Sequence, residues 1–208
     1  SLQSQDGRLK WGSAIIIITS LNKEDEMKFA CLLANGFEET EMVTVVDLLR
    51  RAKIEVDLVS IHELKVTGSH GISVLADKLW EDMDHYDGLF LPGGQPGSTH
   101  LGNDERVINL IQKYNKAGKW LSAICAAPSV FAKADIIKDR RITSYPMPNV
   151  DELFKDAVYL EDFVVQDGKL ITSRGVGTAQ HFGLYLVDAL GYDAKTLSDS
   201  ILFTMVNK

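Results

Sequence analysis

The sequence predicts an α/β fold, a mostly parallel central sheet covered by helices on both faces. Three observations carry this reading. From Met27 onward, short apolar runs bounded by turn residues alternate with stretches of helical periodicity, the order that builds a parallel sheet. The runs are apolar enough to be buried on both faces of that sheet. No internal repeat, low-complexity tract or linker interrupts them, so residues 27–208 are expected to form one domain. In such a sheet the functional cleft lies beyond the C-terminal ends of the strands.

The totals set the outer bounds. With 208 residues, 45% of them hydrophobic and 25% charged, the chain can bury a substantial core without disulfide or metal staples. A formal net charge of -7 argues against a nucleic-acid partner and against an anionic membrane surface. The two cysteines, Cys31 and Cys125, lie far apart with no paired-cysteine motif, so neither a disulfide framework nor a metal site is expected. That usage fits a reducing cytoplasm.

Residues 1–26 read differently from the rest and are treated as an N-terminal extension. Ala14-Ile15-Ile16-Ile17-Ile18 is too short for a signal-peptide core and far too short to span a bilayer. Two readings stay open. Met27 is the natural start and the preceding residues are a mis-assigned start, or the extension is genuine and its isoleucine run pairs with a sheet edge.

The first strand is expected at Phe29–Ala34, with Cys31 packed in the core. Asn35-Gly36 turns the chain, and Glu38-Glu39-Thr40-Glu41 opens a helix. Met42, Val45, Val46 and Leu49 form its apolar face, and Arg50-Arg51 suit its C-terminal end. Glu41 sits at the edge of that stripe, where its carboxyl can point inward above the strand end. Ile54–Ile61 is a second strand, and Leu64–Val66 with Ile72–Leu75 form a hairpin excursion. Asp87–Leu91 is a buried strand ending in Pro92-Gly93-Gly94-Gln95-Pro96-Gly97. That glycine pair can expose backbone N–H groups, or can simply serve a turn that needs positive φ. Its spacing matches neither a phosphate-binding loop nor a dinucleotide fingerprint. Asp104–Lys116 is an amphipathic helix with Val107, Leu110, Ile111 and Tyr114 inward. Asp167-Gly168 marks a two-residue hairpin turn, and Phe182, Leu186, Val187 and Leu190 give the core face of the last long helix.

The chain is organised around Lys119–Pro128, KWLSAICAAP. Trp120–Ile124 reads as a buried strand, Cys125 follows at once, and Pro128 lies in the first turn of a helical pattern. A nucleophile on such a strand-to-helix turn is held out of the sheet in a strained pose. The following helix N-terminus lowers a thiol pKa, so Cys125 is expected to titrate well below ~8.5, the ordinary cysteine value. The bland alternative is a cysteine buried at a strand end. Glu41, Gly93-Gly94 and Cys125 follow separate strand ends, so the fold can bring them together.

Four segments, Gly36-Phe37-Glu38-Glu39-Thr40-Glu41, Leu91-Pro92-Gly93-Gly94, Ala123-Ile124-Cys125-Ala126-Ala127-Pro128 and Ser173-Arg174-Gly175-Val176-Gly177-Thr178, occur in this order. In this combination the chain resembles the ThiJ/PfpI superfamily, in the branch of the Parkinsonism-associated deglycase and its bacterial relatives. The resemblance runs from Met27 nearly to the end. It implies a flavodoxin-like three-layer sandwich, class I glutamine amidotransferase-like, and a homodimer. It also implies Cys125 as nucleophile, Glu41 as a protonated carboxyl hydrogen-bonded to it, and the N–H groups of Gly94 and Ala126 as an oxyanion pocket. The chain departs from the pattern in its histidines. The position some members use for a base is Tyr145, and the protease-like branch has histidine where this chain has Ala126. Of the five histidines, His62, His70, His85, His100 and His181, only His100 stays in view as a substrate contact, beside Gly93 and Tyr145.

The resemblance implies a cysteine-dependent small-carbonyl enzyme of glyoxalase or deglycase type. Its substrate is methylglyoxal or an early glycation adduct, it needs no cofactor, and it serves stress protection. Two alternatives remain open: a redox-sensing stress protein whose Cys125 is oxidised, and the thiamine-pathway role attached to some relatives. Proteolysis is disfavoured because no histidine is placed to protonate an amine leaving group. Arg51, or its neighbour Arg50, is a candidate to reach a partner's cleft in a dimer, against the plain reading of both as solvated dipole partners.

Overall fold

The computed structural model describes residues 27–206. The expectations for residues 1–26, including the Ile15–Ile18 strand, lie outside the described residues.

Among the described residues seven strands form the central sheet, and four further short ones pair outside it. In chain order they are β1 (Lys28–Leu33), β2 (Glu55–Ser60), β3 (Lys65–Thr67), β4 (Ser73–Leu75), β5 (Lys78–Leu79), β6 (Gly88–Leu91), β7 (Trp120–Ile124), β8 (Arg141–Ile142), β9 (Val158–Tyr159), β10 (Val164–Asp167) and β11 (Leu170–Ser173). The helices are α1 (Glu39–Arg51), α2 (Gly97–Asn103), α3 (Glu105–Lys116), α4 (Pro128–Lys133), α5 (Val150–Leu153), α6 (Ala179–Ala189), α7 (Ala194–Ser200) and α8 (Phe203–Val206). The sheet order is β10-β11-β7-β6-β1-β2-β5, parallel throughout except for the β10–β11 hairpin. The expected three-layer α/β sandwich is therefore the fold. No helix among the described residues is long and apolar enough to cross a membrane.

The period-two alternation of β1 divides the core. Phe29, Cys31 and Leu33 join α1 and α6 on one face, while Ala30 and Leu32 join α3 and α4 on the other, all fully buried. On α1 the stripe Met42, Val45, Val46 and Leu49 is buried as its spacing requires, each side chain contributing roughly 1.5–3 kcal/mol on leaving water. The β3–β4 hairpin forms apart from the main sheet, as expected.

The β10–β11 turn differs from expectation by one residue. Asp167 pairs with Leu170, so the turn residues are Gly168 and Lys169, with positive φ (59°) at Gly168. Positive φ at the first central position suits a glycine-led turn. Asp167 instead stays in the ladder, where its carboxylate accepts the Arg141 N–H at 3.0 Å.

Because β1, β6, β7 and β11 are mutually parallel, their C-terminal ends lie along one edge of the sheet. The chain leaves that edge at the turn before α1, at Pro92-Gly93-Gly94, at Cys125 and at Arg174. Three of those exits carry the residues singled out by sequence.

Candidate active site

Cys125 is the first residue past β7 and has φ +63°, the left-handed region that a residue with a Cβ enters at a cost. Its N–H donates to the carbonyl of Ser173 at 3.0 Å and its carbonyl accepts the Tyr145 N–H at 2.9 Å. These two bonds fix the elbow from neighbouring segments. The helix behind it, α4, is only six residues long and begins three residues later. Its dipole is a minor influence on the sulfur.

Glu41 enters from the first turn of α1 and is fully buried. Its Oε2 accepts the Gly93 N–H at 2.9 Å, and its Oε1 is buried without a directed hydrogen bond. Glu38, the N-cap of α1, accepts the Glu41 N–H at 2.7 Å. Gly93 sits between carboxyl and thiol. A Cβ there would lie 2.6 Å from both the Cys125 Cβ and Glu41 Oε2, so only glycine allows this approach. Gly94 has φ +91°, and a Cβ on it would meet the Glu38 backbone at 2.4 Å. The N–H groups of Gly94 and Ala126 are directed at the Cys125 sulfur.

Burial pushes the Glu41 carboxyl up to about 7; the Gly93 N–H and the Cys125 thiol pull it back, and the charge of Glu38 adds to the rise. Burial also pushes the Cys125 thiol up to about 12. The charge of Glu41 and its hydrogen bonding act in the same direction, and the Gly94 and Ala126 amides oppose them. This reverses the expected direction for the thiol. Desolvation outweighs a short helix at the sulfur. The two titrate as a coupled pair, each pushed up by burial.

The thiol opens into a cleft of about 470 Å³ whose walls include Glu38, Glu41, Tyr145, Glu161, Phe163 and Arg174. A larger hollow of about 530 Å³ between α2, α4 and α5 contains no cysteine or histidine. Of the sequence candidates, the cleft gathers Cys125, Glu41 and Tyr145, with the Gly94 and Ala126 amides at the sulfur. Gly93 is adjacent, but its N–H is occupied by Glu41 and is not available to a substrate. His100 is not in the cleft: it lies on α2 with Nδ1 2.9 Å from the carbonyl of Asn35, where it ties α2 to the turn before α1. Arg51 lies at the opposite end of α1 from Glu41, ion-paired with Asp47 at 2.6 Å, and Arg50 is held by the Val56 carbonyl and Asp77.

Sequence reasoning missed Arg174, Glu38 and Glu161. The signal for Arg174 was present: it follows a strand end just as Cys125 does. The β7–β11 register pairs Ile124 with Ser173, which sets the two next residues side by side. Among the described residues, Glu38, Glu39 and His70 offer ligand atoms within 4.8 Å of one another. Glu39 is already committed, accepting the His70 N–H at 2.7 Å and the Ile72 N–H at 3.3 Å, so the group reads as the anchor of the β3–β4 turn.

Comparisons with known proteins agree with the fold. Residues 27–189 match the DJ-1/PfpI family. Protein dj-1beta of Drosophila melanogaster is 37% identical over 163 residues, covering 76% of this chain and 87% of that one. Its crystal structure superposes with a TM-score of 0.81 at 34% identity, over 85% of this chain and 98% of that one. Protein DJ-1 homolog A of Arabidopsis thaliana is 33% identical over 174 residues, or 82% of this chain, which spans only 44% of the plant protein. The deglycase PfpI of Pyrococcus furiosus is 32% identical over 154 residues, covering 73% of this chain and 92% of that one. The chain belongs to the DJ-1/PfpI family.

Proposed function

We propose that this chain is a cysteine-dependent small-carbonyl enzyme of glyoxalase or deglycase type. One observation carries the reading: a cleft-facing thiol at positive φ, faced by two amides and by a carboxyl whose pKa lies near neutrality. In the pair's singly protonated state Glu41 is the base. As the Cys125 sulfur attacks the aldehyde carbon of methylglyoxal, the thiol proton passes to the Glu41 carboxylate and a C–S bond forms. The carbonyl oxygen becomes an alkoxide held by the Gly94 and Ala126 amides, then takes the proton back from Glu41 as a hemithioacetal. Glu41 next removes the proton on that carbon and returns it to the neighbouring carbonyl carbon, while the hydroxyl proton of the hemithioacetal passes to the neighbouring oxygen, which turns the hemithioacetal into a lactate thioester. Water cleaves the thioester, releasing lactate and the thiol. Tyr145 forms part of the wall against which the adduct rests.

An adduct on an amine is the corresponding deglycase substrate, and the Pyrococcus relative bears that name. The second reading is a redox-sensing stress protein whose Cys125 is oxidised, and one solved relative, DJ-1 of Toxoplasma gondii, is described as oxidized. The same proposal includes one catalytic domain over residues 27–208, a homodimer, a cytoplasmic setting and a role in stress protection. Lactate formation from methylglyoxal by wild type and Cys125→Ser tests the activity. Turnover by the wild type alone is the expected result, and equal or absent turnover in both removes the proposal.

A further inference from the structure

The cleft holds a cation that no side chain among the described residues neutralises. Arg174 lines it beside Cys125, and its Nη1 is buried without an acceptor. Each of the other arginines among the described residues donates to or ion-pairs with a carboxylate: Arg50 with Asp77, Arg51 with Asp47, Arg106 with Asp104, and Arg140 and Arg141 with Asp167. The carboxyl groups of the cleft do not fill this role. Glu38 caps α1 through the Glu41 N–H, Glu41 holds the Gly93 N–H, and Glu161 is exposed at the rim, where water and salt screen it. A buried guanidinium donor left open is an unmet demand for an acceptor, and its planar fork fits a carboxylate through two parallel bonds.

The place of that donor defines what it can read. Ile124 and Ser173 are paired across β7 and β11, and Cys125 and Arg174 are the next residue of each, both lining the one cleft. We propose that Arg174 is a specificity-determining residue that binds a carboxylate on the carbonyl substrate a few bonds from the reacting carbon. The cleft then prefers 1,2-dicarbonyls that carry such a carboxylate to neutral ones. This rests on the small-carbonyl reading above, with the same nucleophile and the same attack.

Two measurements test it, and the first needs no turnover. Alkylation of Cys125 by iodoacetate and by iodoacetamide, followed by mass spectrometry, gives an anion-to-neutral rate ratio. That ratio should exceed the ratio for a cysteine in an unstructured peptide. It should fall at least fivefold in Arg174→Met and less in Arg174→Lys. A wild-type ratio at or below the peptide value overturns the proposal whether or not any variant folds, and so does a ratio unmoved by Arg174→Met. The second measurement compares kcat/KM for 4,5-dioxopentanoate and methylglyoxal, which share the dicarbonyl and differ in the carboxylate. The wild type should favour the first at least tenfold, and Arg174→Met should erase the preference. Equal losses on both substrates would make Arg174 structural and sink the idea. Absence of turnover on both substrates would remove the activity reading, leaving the alkylation ratio to decide Arg174. If the acceptor is instead a second copy of this chain, Arg174→Met will move the sedimentation profile toward monomer and leave the ratio unchanged, which also overturns the proposal.

Discussion

Cys31 and Cys125 stand on parallel strands of one sheet, two strands apart. Cys31 lies in the middle of β1, with Leu58 of β2 and Phe90 of β6 in register on either side, and it is fully buried. Burial pushes its thiol far up, with Arg50 and Asp77 acting on it only through their charges. Burial pushes the Cys125 thiol up as well. What differs is the supply of unused backbone and side-chain groups. Inside a strand the N–H and C=O groups are consumed by the ladder. In the turns that follow the strands some are left over, so the Gly94 and Ala126 amides face the sulfur with the Glu41 carboxyl beside it. On the proposed function, reactivity at Cys125 follows from position at the strand end and from a proton acceptor beside the sulfur.

The largest expected effect comes from removing each cysteine in turn. Cys125→Ala should reduce lactate formation by at least ~10³-fold, the scale of losing a covalent nucleophile. Cys31→Ala should leave turnover within twofold and lower stability by roughly 1 kcal/mol, since it removes only a small buried group. Activity assays and urea melts on both variants check this. Loss of turnover in Cys31→Ala with an intact fold would break the comparison.

Glu41 comes next, because it is the feature that Cys31 lacks. Glu41→Gln removes the base and should lower kcat/KM by about 10²–10⁴-fold, the usual contribution of a positioned acid–base group. In the wild type, kcat/KM should climb as pH rises through about 7, where Glu41 loses its proton. The effect on stability has the opposite sign. A carboxyl whose folded pKa is raised from 4.5 contributes stability that is full below 4.5 and lost as pH rises through 7. Relative to the wild type, Glu41→Gln should therefore gain up to about 3 kcal/mol between pH 4.5 and pH 8, because each pH unit separating the folded and unfolded pKa is worth about 1.36 kcal/mol. Parallel melting curves across that range would contradict a raised Glu41. A rate that falls with pH through 7 would favour the protonated Glu41 and thiolate expected from sequence.

Gly93 sharpens the comparison by geometry alone. Gly93→Ala puts a methyl 2.6 Å from both the Cys125 Cβ and Glu41 Oε2, whereas Gly177→Ala on the cleft rim meets nothing within 4 Å. The first should cost about 1–3 kcal/mol by overpacking and should also depress turnover; the second should do neither. Thermal melts and kcat/KM on the pair decide it, and equal effects would mean the thiol–carboxyl spacing is unimportant.

The strand ends are legible in the sequence, and with them Cys125 and Glu41. Buried apolar runs locate β1, β6 and β7, and a residue directly after such a run must lie at the edge of the sheet. Arg174 obeys the same rule after β11, yet it does not stand out, because β11 reads along the chain as one arm of a hairpin rather than as the parallel neighbour of β7. The direction in which the thiol pKa moves is not legible either. Desolvation depends on how distant segments of the chain pack around the sulfur, which is a property of packing that no local spacing reports. His100 misleads for a related reason: closeness to Gly93-Gly94 along the chain says nothing about which way α2 turns its side chains.

The smallest effect is expected at Arg51, and it bears on whether the contrast between the two cysteines is made within one chain. Arg51 pairs with Asp47 one turn earlier on α1, and both side chains are about half exposed, at 53% and 52%. An exposed pair of this spacing is worth about 0.3–0.5 kcal/mol. Arg51→Ala should therefore shift stability by no more than that, with the remainder lost on adding salt. Its effect on kcat/KM should stay within twofold, since the sulfur, the carboxyl and both amides belong to the same chain. A tenfold loss in kcat/KM with an unchanged melting curve would mean that Arg51 leaves Asp47 to enter the cleft of a second copy. The surroundings that set Cys125 apart from Cys31 would then be completed only in a dimer, and sedimentation of the same variant would separate a weakened dimer from an intact dimer with an incomplete cleft.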